Sequence, residues 1–299
     1  MRAAALALLF LGPLGAQEIA IQQVTEPFAP LRTQADALKH AKDWEGLADL
    51  MERQDPKTRG QFLFTWLEAL SKAGRTDRAL EICNAALPQL KAAKQTPEAN
   101  AVQYVRSKLL SGAGRHEEAL ASFLELADQG DLAALSLACN EAVALGAWGD
   151  LMDLGSRVAQ HNPGLGKSLR GDALAKLLRF PEAEALLEEA VKLPGHTAMA
   201  WSNLACCRVE RKAYTEAVAA ADQALALEPG LLEALYNRGR ARFGLQQYAE
   251  GRADLAAALA TGKADAALTE NLKTNIALAD RYLAHQARPA AKGRTKQKT

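Results

Sequence analysis

The sequence predicts an all-α protein, a solenoid of stacked helix-turn-helix repeats closed by a C-terminal capping helix. Three observations lead there. No run alternates Val, Ile and Thr with polar residues over the length of a strand. The composition is rich in Ala and Leu and holds only 5% aromatics, which suits short helices packed closely. One position also recurs along the chain: Ala217 is echoed by Gly251 and Ala183, each 34 residues away, and further back by Leu151, Ala119, Ala79 and Leu47. A unit of that length cannot bury its apolar face alone, so neighbouring units must stack into one continuous core.

Ala198 to Leu231, AMAWSNLACCRVERKAYTEAVAAADQALALEPGL, is the clearest unit. Trp201, Leu204 and Arg208 recur at three and four residues and so share the face of a first helix that meets the second. Ala205 and Ala217 must be small, because a bulkier side chain at the crossing would hold the axes apart at a cost of ~1–3 kcal/mol. Tyr214 sits in the turn, and Pro229-Gly230 ends the second helix. The turn aromatic keeps the beat as Tyr248, Phe180, Trp148 and Trp44, while Ala73-Gly74-Arg75 and Ala113-Gly114-Arg115 fill two equivalent turns.

Trp201, Leu204, Ala205, Tyr214, Ala217, Ala221, Ala224 and Pro229 together resemble the tetratricopeptide repeat signature. The resemblance implies a right-handed solenoid whose first helices line a concave groove. It covers about seven units, near 28–59, 60–99, 100–131, 132–163, 164–197, 198–231 and 232–265, and is closest over 198–265. The second unit is longest because of Lys91 to Asn100, whose charge and Pro97 predict a longer helix or a loop. A capping helix follows over about 264–285, with Leu268, Leu272, Ile276, Ala279 and Leu283 on one face.

Residues 1–16, MRAAALALLFLGPLGA, have the order of a secretory signal peptide: one basic residue, an apolar run, a Gly-Pro break and small residues before a cut after Ala16. The run is shorter than the ~20 residues of a membrane-spanning helix. Retention as an anchor is the competing reading; after cleavage no integral span is expected. The expected location is the periplasm. Residues 17–30 carry two prolines and no helical period and read as an extended lead-in. Residues 287–299, ARPAAKGRTKQKT, form a basic tail that reads as disordered or as an attachment to an anionic surface. Setting aside its five basic residues and Arg2 takes the formal charge from +1 to −5. An acidic body argues against a nucleic-acid partner.

Motifs that carry chemistry are sparse. Gly164-Leu165-Gly166-Lys167-Ser168 resembles the end of a phosphate loop, but His161 stands where the first glycine is required. It reads as a loop between repeats. The five histidines, at 40, 116, 161, 196 and 285, show no metal spacing, and no Gly-x-Ser-x-Gly elbow is present. Cys83, Cys139, Cys206 and Cys207 have no CxxC or framework spacing and read as free thiols packed in helices. Arg106, Arg170 and Arg238 occupy the usual Leu position of alternate repeats. Their stems are expected to cover a helix pair while the guanidinium reaches solvent. Gly171 and Gly239, inside helices, imply close helix approach.

No cofactor, metal or catalytic residue is expected. The candidate partner-binding groove is Tyr104, Lys108, Asn140, Asp172, Ser202, Tyr236 and Arg240, with Phe64, Glu68, Ser136, Ser168 and Cys206 on the same sides of their first helices. One subset of the family binds acidic chaperone C-termini through, in order, a Lys, an Asn, an Asn, a Lys and an Arg across three repeats. The equivalent positions here are Ser168, Asp172, Asn203, Glu233 and Asn237, and only one matches. The expected function is a non-enzymatic scaffold or adaptor that binds a peptide or protein segment. The alternative is an accessory subunit that presents substrate to a catalytic partner at the cell envelope.

Overall fold

The computed structural model describes residues 28–286. The expected signal peptide, residues 17–27 of the lead-in and the basic tail lie outside them. The described residues form sixteen helices and no strand, in two compact units divided between Leu145 and Gly146.

The first unit holds α1 (Ala29–Ala41), α2 (Trp44–Glu52), α3 (Pro56–Gln61), α4 (Leu63–Lys72), α5 (Thr76–Ala92), α6 (Thr96–Gly112), α7 (His116–Ala127) and α8 (Leu132–Leu145). Helix α1 starts at Ala29, so the last two residues assigned to the lead-in are helical; Pro30 suits a first turn, where no N–H is needed. The long second repeat resolves as extended helices. α5 and α6 run 17 residues each, and Pro88 lies inside α5.

The second unit holds α9 (Trp148–Val158), α10 (Pro163–Lys176), α11 (Phe180–Ala190), α12 (Ala198–Glu210), α13 (Tyr214–Leu227), α14 (Leu232–Gly244), α15 (Tyr248–Ala260) and α16 (Ala266–Gln286). Each helix packs on the next, and the first helices α10, α12 and α14 also pack on one another. This is the solenoid arrangement, in which contacts stay between sequence neighbours. α16 packs on α15 as the cap.

The recurring position explains the stacking. Leu47, Ala79, Ala119, Leu151, Ala183 and Ala217 are all wholly buried, and Gly251 is buried with them. The turn aromatics Trp44, Trp148, Phe180, Tyr214 and Tyr248 each open a second helix. Between first and second helices the chain reverses through a left-handed residue. Gly74 and Gly114 serve there, and Lys42, Leu178, Lys212 and Gln246 take the same conformation at φ 55–62°. The next amide then bonds back five residues, as Arg75 does to Leu70, Arg179 to Leu174 and Gln247 to Arg242, all at 2.9 Å. That is the Schellman arrangement, which satisfies carbonyls left over at a helix end.

Two sequence readings need correction. Residues 164–168 are the first turn of α10, which the Asn162 side chain caps by accepting from the Leu165 N–H at 3.0 Å. Gly166 is buried there because it lies against the backbone of α9: a Cβ would sit 2.4 Å from Ala159 N. Of the arginines at Leu positions, Arg238 and Arg170 turn inward, whereas Arg106 stays at the surface as expected. Arg238 forks onto Asp254 at 2.7 and 3.0 Å, Arg106 donates to Asn84 at 2.7 Å, and the Arg170 Nε is enclosed. A guanidinium can be buried this way when a carboxylate or amide meets its fork. Close approach at Gly171 and Gly239 agrees with expectation, since a Cβ at either would strike Leu187 or Leu255 within 2.8 Å. All four cysteines are free thiols, and Cys83, Cys139 and Cys207 are buried. Burial pushes the Cys83 and Cys207 thiols up to about 12.

Candidate functional site

In the second unit, α10, α12, α14 and α16 bring a row of polar and aromatic side chains together. Asn203 of α12 donates to Asp172 of α10 at 3.1 Å. Arg240 of α14 donates to Glu210 of α12 at 2.7 Å, and its guanidinium lies 5.5 Å from the centre of the Tyr236 ring. The Tyr236 hydroxyl donates to Asn271 of α16 at 3.1 Å, and Asn275 bonds the same Asn271. The Tyr236–Arg240 pair follows from their four-residue spacing on one helix face. The links between helices repeat at 30 to 35 residues, because equivalent first helices stand side by side.

The electrostatics of the row are mixed. Burial raises the Asp172 carboxyl above the ordinary aspartate range; Lys176 and the Asn203 hydrogen bond oppose this, and Glu233 adds to it. Burial likewise raises Cys206, with Arg240 opposing. Beside Arg240 a pocket of about 390 Å³ opens among Val209, Glu210, Tyr214, Phe243, Leu255 and Asn275. It joins two aromatic rings and an aliphatic wall to a carboxylate, a guanidinium and an amide. Such a surface can grip an extended chain through hydrogen bonds and side-chain contact.

The structure sorts the predicted groove residues. Asp172, Tyr236 and Arg240 belong to the row. Ser202 does not: it is wholly buried, and the Asn237 amide of α14 donates to its carbonyl at 3.1 Å. Ser168 is buried too and donates to the Gly164 carbonyl at 2.7 Å. Ser202 is therefore removed from the candidate surface. Cys206 is partly exposed, beside the row. In the first unit Lys108 is exposed with its ammonium 5.9 Å from the Tyr104 ring centre, and Asn140 is exposed on α8. Phe64 is exposed, and Glu68 pairs with Lys39 at 2.6 Å. Sequence reasoning left Glu210, Asn271 and Asn275 out of the groove. The last two lie on the cap, and Asn271 was legible as the residue 35 positions beyond Tyr236.

Among the described residues, no group of three or more His, Cys, Asp or Glu is placed to hold a metal ion, and no helix is long and apolar enough to cross a membrane.

The family model for the tetratricopeptide repeat matches residues 168–231. That segment belongs to the tetratricopeptide repeat family. The match spans α10 to α13 and contains the repeat that carries the motif most fully. A tetratricopeptide repeat protein from Parabacteroides merdae ATCC 43184 superposes with a TM-score of 0.58 at 12% identity, over 85% of this chain and 98% of that one. That likeness shows the fold. A thermophilic tetratricopeptide repeat protein of Thermus thermophilus aligns with 60% of this chain and 100% of its own length at 19% identity and a TM-score of 0.49. No curated protein matches the chain.

Proposed function

We propose that the chain is a non-catalytic adaptor that holds a peptide or protein segment on the first-helix face of its second unit. The observation that carries this reading is the row from Asp172 to Asn271, in which donors, acceptors and an aromatic ring are already held in place across four helices. Preorganised side chains lose little freedom when a partner docks, which favours binding. Tyr236 and Arg240 are the anchors, being of the types that dominate interface energetics. The order of residues 1–16 supports export to the periplasm, and the basic residues of 287–299 support contact with an anionic surface there.

The test is capture of a partner by the mature chain, followed by Tyr236→Ala with Arg240→Ala. Binding weaker by ~2 kcal/mol with unchanged helical circular dichroism and melting supports the site. Unchanged affinity moves the site elsewhere. Amino-terminal sequencing of protein from its native source tests export: a start at or near Gln17 supports it, and an intact Met1 in the cytoplasm ends it.

A further inference from the structure

A second pocket lies in the first unit, away from the row described above. It measures about 330 Å³ and is lined by Pro56 and Arg59 of α3, Trp66 of α4, and Arg78, Glu81 and Ile82 of α5, with Ala85 at its edge. Arg59 and Arg78 both hold their guanidinium groups over the Trp66 ring, 5.3 and 5.9 Å from its centre. Trp66 is 4% exposed, and its indole N–H is enclosed with no acceptor among the described residues. A buried donor of this kind is ordinarily paired.

The charges around the pocket are not equal in standing. Arg78 is matched by Glu81 at 2.8 Å and Glu52 at 3.4 Å, whereas Arg59 has no carboxylate partner among the described residues. Glu52 is shared with Arg75 at 3.2 Å. The pocket therefore presents one uncompensated guanidinium, a second one beside it, an unpaired N–H donor, and a wall of proline, isoleucine, alanine and indole. We propose that it binds a monoanionic carboxylate attached to an aliphatic group, as found at the C-terminal end of a peptide with a branched last residue. The carboxylate meets the forked donors of Arg59, the geometry that guanidinium groups match best. The half-buried Arg59 stem turns to let the second oxygen reach the indole N–H, and the aliphatic group fills the space against Ile82 and Ala85. A single free positive charge favours a monoanion over a phosphate dianion.

The experiment follows the indole N–H resonance of Trp66 in the full chain, assigned by its loss in Trp66→Phe. The probes are N-acetyl-leucine, N-acetyl-leucinamide and inorganic phosphate, each taken to roughly 10 mM. A saturable shift with N-acetyl-leucine alone, weakened about tenfold in Arg59→Gln at unchanged melting temperature, is the expected result. No saturable shift, an equal shift with the amide or with phosphate, or full affinity in Arg59→Gln overturns the proposal. If Arg59→Gln melts early, Ala85→Trp, which fills the pocket from an exposed site on α5, must abolish the shift; a shift that survives it also overturns the proposal.

Discussion

Gly166 of α10 lies directly on Gly155 of α9: a Cβ on Gly166 would stand 2.5 Å from the Gly155 carbonyl oxygen, and one on Gly155 would stand 3.0 Å from that of Gly166. Two helix backbones meet there with glycine on both sides, and the Arg170 stem packs beside Gly155. Backbone cannot turn aside as a side-chain tip can, so Gly166→Ala is expected to lose ~3 kcal/mol in chemical denaturation despite alanine's better helix propensity. Gly112, at the end of α6 with nothing within 4 Å of an added Cβ, is the control. Gly112→Ala should be neutral or gain up to ~1 kcal/mol. Equal responses would mean that the α9–α10 crossing is looser than described.

Leu178 holds a left-handed turn at φ 61° while 73% exposed. Other turns of the same kind use Gly74 and Gly114, which adopt φ 74–75° without a Cβ clash. Leu178→Gly removes that strain and little buried area. Net stabilisation of ~0.5–1 kcal/mol is expected, read as a higher melting temperature. A fall would show that the leucine side chain contributes more contact than its exposure suggests.

Asp254 of α15 is 4% exposed and accepts from Arg238 and from Arg242 of α14, at 2.7 Å each. Arg238 also donates to Asp222 of α13 at 2.6 Å. Asp254→Ala strands the partly buried Arg242 guanidinium, leaves Arg238 with Asp222 alone, and should cost ~3 kcal/mol. The exposed Arg115–Glu118 pair offers the contrast: Glu118→Ala should leave the melting temperature nearly unchanged. Comparable losses would place the Asp254 cluster in solvent.

Burial raises the Asp172 carboxyl, and this sets a direction with pH. In the unfolded chain the group ionises near its ordinary value of 3.8; in the folded chain it ionises at higher pH. Ionised Asp172 therefore weighs against folding, fully so above the raised value and not at all below the ordinary one. Asp172→Asn, which can still accept from Asn203, should melt higher than the parent at pH 7. The gain should shrink as pH falls toward 4. A constant gain would assign the effect to packing, and a loss at pH 7 would mean that the carboxylate is held by more than Asn203.

The helix pairs were legible because helical period and small-residue spacing are local properties that stacking merely repeats. Ala217, Ala183 and Ala119 are buried where the beat placed them. Asp172, Tyr236 and Arg240 were legible for the same reason, since a three- or four-residue step fixes a helix face. Ser202 was misplaced by that same step. Its position on α12 faces α14, and only the angle between neighbouring first helices turns it from the surface to the Asn237 amide.

Composition, period and turn residues by themselves determined an all-α chain of helix pairs, its register, the close approach at Gly171 and Gly239, and the cap. Each depends on residues within one repeat or its neighbour. Tertiary structure alone decided which polar residues meet: that Arg238 pairs with Asp254, that Arg240 joins Glu210 to Tyr236, that Gly164 to Ser168 begin a helix, and that Arg59 stands over Trp66 with no carboxylate partner among the described residues. The physical reason is that period specifies direction around one helix axis, whereas an ion pair requires the distance between side chains on different helices, which depends on how those helices cross.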